Sequence, residues 1–175
     1  MSSANIGGWP IPDALSDFQR SILKDGVLTS QEYERAALAV AQCHRDSGAE
    51  LRGYPQRLGG PQLSEPWWSK RGEYYYIPAY PEADTNAEGK YNACEDEYFR
   101  QIAPIWANHV APSQQEMQQA RDLVGECLRE VGLAIPEHPD ITDISPILTA
   151  RRNDPAIAAC SDRGAQFLGT IAFFG

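Results

Sequence analysis

A chain of 175 residues, 42% of them hydrophobic, can bury one ordinary hydrophobic core, so we expect a single domain over residues 1–175. The net charge of −9 lacks the positive surface to which nucleic acids and anionic membranes are attracted. No stretch approaches the roughly eighteen apolar residues that a membrane-spanning helix needs. Nucleic acid is therefore excluded as an expected partner, and so is direct membrane insertion.

The first residues, MSSANIGGWPIPDALSD, lack the basic and apolar regions of a secretory signal. If the protein is exported, we expect that its signal has been removed. The alternative is a cytosolic protein, whose four cysteines would be free, buried thiols.

The first predicted helix is IPDALSDFQRSIL at 11–23, and a longer one follows at 28–48. Thr29 and Glu32 have the spacing of a capping box, which satisfies two unpaired amides at a helix start. Apolar side chains then recur at helical spacing, and Gly48 follows the last of them, where a left-handed residue ends many helices. Cys43 is thereby predicted to face inward from the last turn.

The segment KDGVLTSQEYERA at 24–36 partly matches a calcium-binding EF-hand loop. Asp25, Gly26 and Glu32 would take loop positions that the motif favours, but the first and third positions fall on Ser21 and Leu23. Leucine offers no oxygen ligand. We therefore predict an ordinary turn before a capped helix, with no calcium site.

Residues 53–91 differ from the rest, because they are rich in glycine, proline and aromatic residues and lack helical periodicity. So long an irregular segment within a domain is usually functional or disordered, and its many rings argue against disorder. Two interpretations remain: a binding surface, or a strap with a short strand that covers the helices. The candidate binding residues are Trp67, Trp68, Tyr74, Tyr75, Tyr76 and Tyr80. If the strap is extended, alternation places Tyr75 on the opposite side from Tyr74 and Tyr76.

A second cysteine helix is predicted around Cys94, with Pro104 expected to kink or end it.

The sequence around Cys94 recurs in similar form later in the chain, and so does the predicted helix at 28–48. When Cys43 is aligned with Cys127, seven identities fall within eighteen positions, and Ala-Cys-x-Asp recurs around Cys94 and Cys160. The pattern indicates duplication into two helical units, at 28–100 and 112–170.

The second unit repeats the signals of the first. Ser113 and Glu116 form another capping box, and Gly132 follows the last periodic residue. Asp154 and Pro155 are typical of a helix start before Cys160. With the helix at 11–23, the count is about five helices.

Four cysteines allow three complete pairings. If each unit is self-contained, Cys43 pairs with Cys94 and Cys127 pairs with Cys160. The alternative is four small buried residues with no bonds. A metal site is not predicted, since no two cysteines have a chelating spacing and His44, His109 and His138 are scattered.

The sequence carries no catalytic signature: we found no nucleophile elbow, no P-loop and no dinucleotide-binding turn. Glu95, Asp96 and Glu97 could serve a hydrolase only if two carboxylates converged, and such a run is more often a solvated helix face. We expect no cofactor, and a non-enzymatic role is favoured.

Three phrases, ILKDGVLTSQEYERAALAVAQCHRDSG, YNACEDEYFRQIAPIW and ECLREVGL, together resemble a pattern in uncharacterised exported proteins and lipoproteins of actinobacteria. The resemblance covers about the first two thirds of the chain. It implies export and disulfides, and it supplies no catalytic residues.

The sequence thus predicts a mainly α protein in which an aromatic, irregular segment lies between helices of two cysteine-containing units. The predicted role is an extracytoplasmic, disulfide-stabilised binding or interaction module, secreted or anchored to the cell envelope, with a glycan or an envelope protein as its partner. Two alternatives are a structural subunit of an envelope complex and a hydrolase that uses the acids near Glu95. A large apolar patch without a cleft would favour the subunit.

Overall fold

The computed structural model describes residues 3–5, 15–53 and 65–170, and most of these residues are helical. The prediction of a mainly α protein is confirmed, and a few short antiparallel strands accompany the helices. In chain order the elements are β1 (Ser3–Asn5), α1 (Asp17–Leu23), β2 (Val27–Thr29), α2 (Ser30–Asp46), β3 (Glu50–Arg52), β4 (Trp67–Trp68), β5 (Tyr74–Tyr75), β6 (Ile77–Ala79), α3 (Ala87–Tyr98), α4 (Ile102–Val110), α5 (Gln114–Glu130), α6 (Ile141–Ala150) and α7 (Pro155–Leu168).

The described residues fall into two compact units. The first contains 3–5, 15–53, 65–68 and 72–111, and the second contains 69–71 and 112–170. The single-domain expectation and the duplication both remain predictions.

Three two-stranded antiparallel sheets belong to the first unit: β1 with β2, β3 with β6, and β4 with β5. The core of this unit is built on α2, whose buried side chains follow one helical stripe from Tyr33 through Val40 to His44. Ile102 and Trp106 of α4 are also buried in the first unit. Tyr33 stacks on Trp106, with ring centroids 4.9 Å apart.

The core of the second unit lies among α5, α6 and α7. Val124 and Leu128 of α5, Ile144 of α6 and Ile157 of α7 are all fully buried or nearly so. Gly125 is buried on the same side of α5, and a methyl group there would lie 2.7 Å from Cγ of Pro139. The absence of a side chain at Gly125 therefore permits the loop that contains Pro139 to approach α5 closely.

Both predicted capping boxes are present, at Thr29 with Glu32 and at Ser113 with Glu116. Three hydrogen bonds at the second box hold the pKa of Glu116 down at about 2: those from the Ser113 amide and hydroxyl, and one from Arg71 at 2.6 Å. Gly48 follows α2 with φ of +96°, and Gly132 follows α5 with φ of +86°, so both occupy the predicted left-handed position.

Both disulfides that the self-contained units favoured are present. Cys43 of α2 is bonded to Cys94 of α3, and Cys127 of α5 is bonded to Cys160 of α7. Each bond therefore ties together two helices of the same unit.

Seven helices are described, where the sequence indicated about five. One difference arises where a single helix was expected near Cys94: α3 ends at Tyr98 and α4 begins at Ile102. Gln19 of α1 accepts a hydrogen bond from the Gln101 amide at this break. Pro104 lies in the first turn of α4, where a missing amide hydrogen costs nothing.

The other additional helix is α6, which was not predicted. It begins with an Asp140–Asp143 capping box and contains Pro146, a residue that argues against a helix in a sequence pattern. The predicted helix at 11–23 is described from Asp17 onward, with Ser16 as its cap, and residues 11–14 lie outside the described part.

The Lys-Asp-Gly segment is a turn between α1 and β2. The side chain of Asp25 accepts a hydrogen bond from the Val27 amide, and Gly26 adopts φ of +75°. The turn that the sequence predicted is thus present, and the carboxylate of Asp25 is bonded within it.

Candidate functional site

The aromatic segment is described from residue 65, while 54–64 lie outside the described part. Its rings are arranged by the pairing of β4 with β5, in which Trp67 lies opposite Tyr75 and Trp68 lies opposite Tyr74. The ring centroids are 5.3 Å apart in the first pair and 4.8 Å apart in the second. Because side chains alternate along a strand, the two pairs occupy opposite faces of this small sheet.

The Trp68–Tyr74 pair belongs to a longer series of rings. Tyr74 contacts Tyr76, Tyr76 contacts His44, and His44 stacks on Tyr91, with centroid distances of 5.5, 5.7 and 5.3 Å. Tyr74 and Tyr76 also pack against the buried core of the first unit. We call the rings of Trp68, Tyr74, Tyr76, His44 and Tyr91 the aromatic series.

His44 is the polar centre of this series, and its ring is fully buried. Nδ1 lies 2.8 Å from the Tyr80 hydroxyl, and Nε2 lies 3.3 Å from Oε1 of Glu95. Since a carboxylate only accepts, Nε2 carries the hydrogen toward Glu95, while Nδ1 shares a hydrogen bond with the Tyr80 hydroxyl. The Tyr76 hydroxyl donates to the same Oε1 atom at 3.3 Å.

A disulfide runs beside the His44–Glu95 contact. Cys43 and Cys94 each immediately precede one of the two polar residues, so a covalent link and a polar contact join α2 and α3 at adjacent positions. The Ser47 hydroxyl lies 3.7 Å from the Cys94 sulfur. The backbone around His44 and Glu95 is thus fixed from both helices.

Burial and negative charge keep the surrounding phenols protonated. Burial raises the pKa of Tyr76 above its ordinary value, and the carboxylate of Glu95 adds to the rise. The pKa of Tyr80 is raised by burial and by the charges of Asp84 and Glu95. Both hydroxyls therefore keep their hydrogens, and that of Tyr76 is donated to Glu95.

The six predicted binding residues differ in exposure. Trp68 is exposed, with 39% of its surface accessible, and the other five are half-buried. The indole nitrogen of Trp67 is buried, and no described residue accepts a hydrogen bond from it. Tyr76 and Tyr80 come together around His44, whereas Trp67 and Tyr75 lie on the other face of the β4–β5 pair.

Sequence reasoning missed His44 and Tyr91 as members of the site. Tyr91 is 40% exposed and precedes Glu95 by four residues, so both lie on one face of α3. His44 had an available signal, because it continues the apolar stripe of α2 four residues after Val40. The contact between His44 and Glu95 joins residues 51 positions apart and had no sequence signal.

The acidic run near Glu95 does not converge. Glu95 is directed toward His44, whereas Asp96 is exposed and forms an ion pair with Arg100 one turn later. Upstream, Asp84 is bonded to Lys90, and that hydrogen bond is the main reason why its pKa is lowered. Glu97 is also exposed.

The remaining histidines are apart from this network. The ring of His109 lies beside Trp106, and His138 lies 3.4 Å from Asp122 in the second unit. In the described ranges, no three His, Cys, Asp or Glu side chains are grouped as they would be around a metal ion.

The geometry limits what the site can do chemically. The ring of His44 is buried and both of its nitrogens are already bonded, so the imidazole presents no atom to a bound molecule. Glu95 retains its second carboxylate oxygen, which forms no hydrogen bond with any residue of the described part. The arrangement suits recognition better than proton transfer.

The chain matches no protein-family model, no curated protein and no solved structure. Of the helices described, none is both long and apolar enough to cross a membrane.

Proposed function

We propose that this protein is an extracytoplasmic, disulfide-stabilised binding module that recognises a glycan through the aromatic series. The observation that carries the proposal is the exposure of the two terminal rings, Trp68 and Tyr91, while the rings between them are held against the core. Flat, exposed aromatic rings stack well on sugar rings, since both surfaces are apolar and rigid.

Rigidity supports this proposal as much as exposure does. Trp68 is in edge contact with Tyr33 and packs on Tyr74, while Tyr91 stacks on His44, which is itself bonded at both nitrogens. A ring that is already fixed loses little conformational freedom when a ligand binds, so more of the contact energy contributes to affinity. The neighbouring disulfide restrains the same helices.

The extracytoplasmic location is inferred from the cysteines. Both pairs are oxidised, and structural disulfides are rare in the reducing cytosol. The resemblance to exported actinobacterial proteins points in the same direction.

Two alternatives receive less support. A hydrolase needs an accessible acid or base, but His44 is enclosed, and Asp96 points away toward Arg100. A structural envelope subunit would require a broad apolar surface. On α2, Leu38 is the single large apolar side chain that is exposed, and it does not form such a surface.

Titration calorimetry with two soluble sugars, a tetramer of N-acetylglucosamine and a tetramer of glucosamine, tests the proposal. We expect at least one to bind, and Trp68→Ala to weaken that binding by about 5- to 150-fold, the range of ring stacking on a flat ligand. Trp68→Phe should restore part of the affinity. Phe167→Ala is the matched control, because Phe167 is a 44%-exposed ring of the second unit.

Circular dichroism in the near ultraviolet should show that each variant is folded at the titration temperature. Binding of neither sugar, or an equal loss in Trp68→Ala and Phe167→Ala, would contradict the proposal.

A further inference from the structure

Glu95 is a mostly buried carboxylate without a permanent cation beside it. Only 14% of its side-chain surface is accessible. Among the described residues, no lysine or arginine nitrogen lies within 4 Å of its oxygens, and its one basic neighbour is His44. Lys90, five residues earlier on α3, forms an ion pair with Asp84 instead.

The hydrogen bonds to this carboxylate offset only part of the free-energy cost of burying it. Both donors, His44 Nε2 and the Tyr76 hydroxyl, lie 3.3 Å from the same oxygen, beyond the usual range for strong bonds. The second oxygen accepts no hydrogen bond from the described residues. A buried charge is costly unless it is paired, so a cation at this second oxygen would be bound favourably.

The surroundings favour an organic cation. Tyr91 precedes Glu95 by one helical turn and exposes 40% of its surface, and the face of a phenol ring attracts ammonium groups. A divalent metal ion would need several oxygen ligands, and no such group is present in the described residues. The net charge of −9 also favours the approach of a positive ligand.

We propose that Glu95 and Tyr91 bind the ammonium group of an amino sugar, with the carboxylate accepting its hydrogen bonds and the ring covering its charge. This inference rests on the proposed glycan-binding function and adds to it the class of sugar. A neutral sugar would still stack on the exposed rings, but it would bring no positive charge to the second oxygen of Glu95.

The two tetramers separate the inference from the function. In weakly acidic buffer, where the amines of glucosamine are protonated, we expect the glucosamine tetramer to bind about tenfold more tightly than its N-acetylated counterpart. Acetylation removes the positive charge and preserves the sugar ring. Glu95→Gln should abolish this preference, so that the two tetramers bind the variant with equal affinity.

The matched control is Glu88→Gln, which removes an exposed carboxylate from the first turn of the same helix and should keep the preference. Tyr91→Leu provides a second variant that leaves Glu95 in place. Even if Glu95→Gln does not fold, Tyr91→Leu should reduce the preference for the glucosamine tetramer, because the ring face that attracts the ammonium group is lost.

Equal affinity of the wild-type protein for both tetramers would overturn the inference while the proposed function stood. A preference that survives Glu95→Gln, or that is lost equally in Glu88→Gln, would also overturn it. If neither tetramer binds, both proposals are wrong.

Discussion

Removal of the Cys43–Cys94 disulfide should destabilise the first unit strongly. The bond closes a loop with a sequence separation of 51 residues, and the Cys127–Cys160 bond closes one of 33 residues. The chain-entropy model gives a stabilisation of roughly 4.1 kcal/mol for the longer loop and 3.7 kcal/mol for the shorter at 25 °C. The double substitution Cys43→Ala and Cys94→Ala should therefore lower the free energy of unfolding by about 4 kcal/mol.

Urea denaturation followed by tryptophan fluorescence is a suitable assay, because Trp67, Trp68 and Trp106, the described tryptophans, all belong to the first unit. The midpoint should fall, and the slope should rise somewhat, because the unfolded chain without the cross-link is more extended and exposes more surface.

The double alanine variant of Cys127 and Cys160 is the matched comparison, with a loss of the same size measured by far-ultraviolet circular dichroism. A loss below about 1 kcal/mol for the Cys43–Cys94 variant would refute the loop-closure reasoning. Such a result would mean that the unfolded chain is equally restricted with and without the disulfide.

Two further predictions concern one side chain in each unit. Burial raises the pKa of Tyr33 to about 12, so its contribution to stability is complete below the ordinary value of 10.0 and is lost as the pH rises toward 12. We expect the free energy of unfolding to fall over that interval by about 2–3 kcal/mol more in the wild-type protein than in Tyr33→Phe; equal alkaline losses in the two proteins would contradict the assignment. Gly125→Ala should destabilise the second unit by about 1–3 kcal/mol despite the helix preference of alanine, because the new methyl group would overlap Pro139. Thermal melting is the check, with Glu126→Ala at the adjacent exposed position as the control; a higher melting temperature for Gly125→Ala would show that the loop moves aside easily.

The local structure of the long helices was predictable because their signals lie within a few residues of each other. Capping boxes at Thr29–Glu32 and Ser113–Glu116 predicted where α2 and α5 begin. Glycines at 48 and 132 predicted where these helices end. Helical periodicity placed the cysteines toward the core. The break between α3 and α4 was less predictable, since it is stabilised by Gln19 from a distant helix.

The candidate site also combines features that local sequence patterns predicted with contacts between distant residues that they did not. Alternation along a strand was enough to predict that Tyr74 and Tyr76 face one way and Tyr75 the other, and the ring contacts agree. The sequence also singled out Glu95, but only as one member of an acidic run. No local pattern distinguished it from Asp96, which is solvated.

Composition, periodicity and capping by themselves determined the helical class, the ends of the long helices and the residues that could form disulfides. Tertiary structure alone decided that His44 and Tyr91 join the aromatic segment, and that Glu95 lies buried beside them. The physical reason is range: a cap or a stripe involves neighbours within one or two helical turns, whereas burial and pairing depend on residues that meet only after the chain has folded. For His44, those partners are Tyr80 and Glu95, 36 and 51 positions away.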